Sequence, residues 1–131
     1  MTIWYTAVLA TLTESGLFKS VALEGAKVRA ILNENRFLDV HFDPETHSYS
    51  YAVIDLALPY AGDKRLFGWD DFPHPGNTDL ESLPSHPHHF QSRTPDGAWQ
   101  FMASSFRGDV ADEMIEVISY LRSYLSGELS T

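Results

Sequence analysis

The sequence predicts an α+β fold, an antiparallel meander of about five to six strands with an N-terminal helix and a C-terminal helix. Three observations carry this. Hydrophobic spacing is helical near both ends of the chain, and runs with two-residue alternation fill the middle. The turns between those runs are too short for the crossovers a parallel sheet needs. A chain of 131 residues with 44% hydrophobic content has one domain's length, 1–131, and buries roughly two-thirds of its surface without staples.

The elements follow in order. Trp4, Val8, Leu9 and Leu12 mark one helix face, and Gly16 stands where a C-cap would. From Leu17 the period changes. Phe18, Val21 and Leu23 lead to Gly25, and Val28, Ala30 and Leu32 then alternate with Arg29 and Ile31. Asn33-Glu34-Asn35 is turn chemistry, Phe37 to Phe42 is a strand, and Asp43-Pro44-Glu45-Thr46 is a turn with Asp first and Pro second. Tyr49 to Leu56 is a long strand rich in β formers, Lys64 to Trp69 returns, and Ala98 to Ser104 supplies a further strand. Asp109 is placed as an N-cap. Val110, Met114, Val117, Leu121 and Tyr124 form the apolar face of a last helix, with Glu113 in its first turn.

Residues 71–97 differ in kind. They hold five of the seven prolines and four of the six histidines, without periodicity, and so read as a long functional loop.

Composition excludes several classes. Cysteine is absent, which removes disulfides, thiolate metal sites, iron–sulfur clusters and cysteine nucleophiles. No run approaches ~18 apolar residues and no basic segment opens the chain, so the expectation is a soluble, cytoplasmic protein with no membrane partner. The net charge is −9, with the acidity heavier beyond residue 60. That sign opposes double-stranded DNA as a partner, because phosphate binding draws its affinity from Lys and Arg. Gly-rich phosphate loops, dinucleotide fingerprints, HExxH and GxSxG are missing, and no cofactor is expected.

The chemistry-bearing residues concentrate between 49 and 93. His74, His86 and His88 (with His89) offer general acids and bases near neutral pH. Imidazole also suits metals, but the spacing matches no known ligand pattern and no metal ligand is assigned. Asp70 stands at the loop entrance, where it orients an imidazole or, alternatively, holds loop backbone amides. Read as an unbroken strand, Arg65, Phe67 and Trp69 share one face with Asp70 on the other. Tyr49 and Tyr51 share a side, as stacking surface or as half-buried packing.

The stretch from Tyr-Ser-Tyr (49–51) through Phe67-Gly68-Trp69-Asp70-Asp71-Phe72-Pro73-His74 to Pro84-Ser85-His86-Pro87-His88-His89 resembles a family of small bacterial and archaeal proteins described as TumE-like toxins. The resemblance spans roughly residues 5–125, is specific over 49–89, and places no counterpart to residues 90–108. Tyr49 and Tyr51 match its Tyr-x-Tyr strand; Trp69, Asp70, Pro73 and His74 match its turn; Pro84, His86 and His88 match its histidine segment. The family often has Arg where Gly68 stands and Asn where Asp71 stands, which weakens an anionic-substrate site here. The resemblance implies a toxin-like component of a two-gene toxin–antitoxin pair, with a small antitoxin protein as partner and RNA as candidate substrate. On that expectation His86 and His88, then His74, move protons and Asp70 orients one of them. Arg65 or Arg93 steadies phosphate, and Tyr49, Tyr51 and Trp69 contact substrate. The rival readings are a non-catalytic protein-interaction module and a metal-binding domain using the same loop and sheet face.

Overall fold

The structure is a computed structural model describing residues 3–130, with side chains through Glu128. Helix α1 (Tyr5–Glu14) leads into seven strands, β1 (Ser20–Glu24), β2 (Lys27–Ile31), β3 (Arg36–Phe42), β4 (Tyr49–Asp55), β5 (Arg65–Asp70), β6 (His89–Arg93) and β7 (Trp99–Ala103). A single-turn helix α2 (Thr78–Glu81) lies between β5 and β6, and α3 (Val110–Ser130) ends the fold. All seven strands form one sheet in sequence order, each antiparallel to the next. The α+β class and both terminal helices are therefore observed, and the strand count corrects the expected five to six. The additional strand is β6, inside the stretch read as loop.

Local chemistry explains the meander. A two-residue turn, Gly25-Ala26, joins β1 to β2 with Gly25 at φ +62°, a backbone that only glycine adopts freely in so tight a hairpin. The Asn33 side chain accepts from the amides of Asn35 and Arg36, and that of Asp43 from the amide of Glu45, closing the next two turns.

One face of the sheet carries the core. Val28, Ala30, Leu38, Val40, Tyr49, Tyr51, Val53, Phe67, Trp69 and Phe90 pack beneath Val8 and Leu12 of α1 and Val110, Met114, Val117, Ile118 and Leu121 of α3. α3 begins at Val110 as expected. Its first turn is tied down by Glu113, whose carboxylate accepts from the amides of Arg107 and Gly108.

Part of the segment between β5 and β6 returns over the second face. The His74 ring lies 5.4 Å from that of His89 and 6.1 Å from that of Phe101, both residues on the sheet side away from the helices. Leu80 of α2 is fully buried, and α2 contacts β7.

β5 does not run as an unbroken strand. Phe67 pairs with Val53 but Arg65 pairs with Ile54, so Leu66 is an inserted residue. The bulge turns Arg65 away from Phe67 and Trp69 and onto the face of Gly68 and Asp70. This corrects the expectation that Arg65 shares a face with the two aromatics.

Gly127 lies in the last turns of α3 without a positive φ, and a methyl group added there would meet nothing within 4 Å. Gly127→Ala is expected to raise stability by about 0.5–1 kcal/mol; urea unfolding at neutral pH checks this, and a loss of stability would contradict it. Among the described residues, no helix is long and apolar enough to cross a membrane.

Candidate functional site

The strand pleat sorts the histidines onto two sides of the sheet. On the side away from the helices, Asp70, His74 and His89 bring one ligand atom each to within 4.8 Å of one another. His89 is fully buried, and its Nδ1 lies 2.9 Å from the Pro87 carbonyl. A carbonyl only accepts, so Nδ1 carries a proton and Nε2 is the variable nitrogen. Nε2 lies 2.9 Å from Gln91 Oε1 and 3.3 Å from Asp70 Oδ1. The Asp70 carboxylate also accepts from the Phe72 amide at Oδ1 and from Arg65 at Oδ2, at 2.9 and 3.0 Å.

Two buried side-chain atoms among the described residues have no hydrogen-bond partner, His74 Nε2 and Arg65 Nε, and both belong to this group. Burial pushes the His74 imidazole below its ordinary value; the Asp70 charge opposes this, while His89 and Arg65 add to it. His74 also sits at φ +43°, a backbone region that non-glycine residues enter at a cost.

On the helix side, the Tyr49 hydroxyl donates to the Phe106 carbonyl at 3.0 Å and lies 2.9 Å from His88 Nδ1. Its one hydrogen is already given, so it accepts from His88, which fixes the proton on Nδ1 and leaves Nε2 as a lone pair. The two rings stack at 5.8 Å. Burial first, and then the Arg107 charge, push the His88 imidazole below its ordinary value, so the ring is neutral at pH 7. Next to Tyr49, the Tyr51 hydroxyl donates to Glu113 at 2.7 Å. Burial, then Glu113, push both tyrosines well above the usual phenol range.

The segment 104–107 joins this group to a hollow of about 280 Å³. Its lining includes Trp69, Phe90, Met102, Phe106 and Tyr120. Arg107 stands exposed beside it, its guanidinium donating to the carbonyls of Ser104 and Phe106.

Of the residues singled out by sequence, His88 and Tyr49 come together, as do Asp70, His74 and Arg65. The side chain of His86 joins neither group; it is exposed, beside the His86–Pro87 bond. Asp70 faces His89 rather than His86 or His88. Arg93 is occupied elsewhere, donating to the carbonyls of Arg65, Gly97 and Asp63 and stacking on Trp99 at 3.9 Å. Tyr49 and Tyr51 are buried at 2% and 0% exposure, so neither offers an open stacking face. Three participants were not among the candidate site residues: His89, read only as part of the histidine cluster, Glu113, read only as a first-turn helix residue, and Gln91, which was not singled out. The alternation His89-Phe90-Gln91 was the available signal for His89 and Gln91.

Comparison with known proteins returns no match to the chain: no protein-family model, no curated protein and no solved structure.

Proposed function

We propose that this protein is the toxin-like component of a two-gene pair, partnered by a small antitoxin protein, and that it cleaves RNA with His88 as base. The observation that supports this most is the Tyr49 hydroxyl seated between His88 Nδ1 and the Phe106 carbonyl, at 2.9 and 3.0 Å. Tyr49 holds the proton on Nδ1, so a neutral Nε2 is poised to accept one, with a third group orienting the base. His88 Nε2 takes the proton of a ribose 2′-hydroxyl as that oxygen attacks the adjacent phosphorus. The bond to the 5′-oxygen breaks, leaving a 2′,3′-cyclic phosphate and a 5′-hydroxyl that takes its proton from solvent. Arg107 offsets charge building on the phosphoryl oxygens. The aromatic hollow around Trp69 and Phe106 accepts an unstacked base, the usual means of gripping single-stranded RNA.

Inducing the wild-type gene is expected to arrest growth of a bacterial host and to leave cyclic-phosphate ends on RNA. His88→Ala, checked for folding, is expected to lose about 10²–10⁴-fold of the cleavage rate on a purified oligonucleotide. The wild-type rate should climb with pH and level off at a midpoint below the ordinary histidine value of about 6.5, since protonated His88 cannot act as base. Full cleavage by folded His88→Ala would overturn the assignment. If the wild type neither slows growth nor cuts RNA, the interaction-module reading takes its place. The exposed Met102 on edge strand β7, beside the same hollow, is the surface that favours it.

A further inference from the structure

We infer that Asp70, His74 and His89 form a binding site for one divalent transition-metal ion of the zinc class, pinning residues 71–88 to the sheet. The inference does not rest on the RNA reading, which uses side chains on the opposite face.

The argument begins with His89. Oxygens of Pro87, Gln91 and Asp70 surround the two nitrogens of a ring closed off from water. With Nδ1–H given to the Pro87 carbonyl, the Nε2 lone pair faces the Asp70 carboxylate across 3.3 Å, a geometry that a metal ion shared by the two satisfies. His74 brings one ring nitrogen to within 4.8 Å of the other two ligand atoms, and its buried Nε2 has no hydrogen-bond partner; a charge that several donors share accounts for both.

The spacing fits. Metal–nitrogen and metal–oxygen bonds of about 2.0–2.1 Å at a tetrahedral centre put neighbouring donors roughly 3.3 Å apart, and Asp70 Oδ1 and His89 Nε2 stand at 3.3 Å. His74 closes the remaining distance by a small shift of its loop. Gln91 Oε1, 2.9 Å from His89 Nε2, is the fourth donor on that side.

The supporting contacts are those a metal site requires. The Pro87 carbonyl fixes the His89 ring through Nδ1–H, and Arg65 and the Phe72 amide hold the carboxylate. Two imidazoles with a carboxylate select zinc, cobalt, nickel or ferrous iron over magnesium or calcium, which prefer oxygen alone. Entry lies on the loop side, where Phe72, Pro73, Pro75 and Gly76 are exposed.

The test titrates the tag-free full-length protein with cobalt(II) and then displaces it with zinc. One cobalt ion per chain is expected, with the intense visible absorption of a four-coordinate site, and the melting temperature should rise by several degrees with either metal. His74→Ala should weaken binding by at least about tenfold, the loss seen even when a mere supporting partner is removed. His74→Gln, which keeps a polar group on the loop, is the second variant should the first not fold. His86→Ala, which removes an exposed imidazole outside the group, should bind as the wild type does. Absence of one-to-one binding by the folded protein would overturn the site. So would equal weakening by His86→Ala, the mark of adventitious binding to surface histidines. Both readouts are taken without RNA, so their failure is separate from any failure of His88 chemistry.

Discussion

Glu113→Ala is expected to lower the unfolding free energy by about 3 kcal/mol, from one buried donor left unpaired and two further hydrogen bonds to a carboxylate lost. The Glu113 carboxylate accepts from the Tyr51 hydroxyl and from the amides of Arg107 and Gly108, at 2.7, 2.8 and 3.2 Å. Tyr51 is fully buried, so once Glu113 is gone its hydroxyl has no water to turn to. The converse substitution is milder. Tyr51→Phe removes donor and demand together and leaves Glu113 both amides, so about 1–2 kcal/mol is expected. A double-mutant cycle should return a coupling of about 1–2 kcal/mol, because much of the Glu113→Ala penalty vanishes once the stranded hydroxyl is absent. Urea unfolding of the four proteins at neutral pH measures this. A Glu113→Ala loss below about 1 kcal/mol would mean that the hydroxyl finds another acceptor and that the first turn of α3 does not depend on this carboxylate.

That network shows what could be read from sequence and what could not. The helical faces of α1 and α3 and six of the seven strands were legible, because each carries several apolar residues at the period of its own element. β6 was not. Its core face holds Phe90 as the large apolar residue, while His89 and Gln91 point to a face covered by returning chain rather than by water. The bulge at Leu66 was equally silent, since an inserted residue leaves composition unchanged while reversing the face of Arg65. Histidines could be read as chemistry-bearing, yet their division could not. His88 and His89 are adjacent in sequence, but one meets Tyr49 on the helix side and the other meets Asp70 beyond the sheet. Glu113 looked like a macrodipole residue. Its bond to Tyr51 joins positions 62 residues apart, and no local pattern announces such a contact.

Gly68→Ala is expected to destabilise the fold by about 2 kcal/mol, the scale of forcing an extra methyl into a packed interior. A Cβ at Gly68 would stand 2.6 Å from the Tyr51 carbonyl oxygen and 3.1 Å from the Ala52 Cα. Both obstacles are backbone of β4, so no side chain can rotate aside. β5 is hydrogen-bonded on both edges, pairing Gly68 with Ala52 on one side and Gln91 on the other, and any shift must be shared with β6. The same face carries Arg65 and Asp70, whose 3.0 Å ion pair spans the glycine. A displaced β5 would therefore pull the Asp70 carboxylate away from His89 as well as strain the sheet. Gly68→Ala should thus lose cobalt affinity along with stability, whereas Gly127→Ala, on the open surface of α3, should gain stability and bind cobalt unchanged. If Gly68→Ala proved as stable as the wild type, β4 and β5 would have to lie farther apart than their register requires.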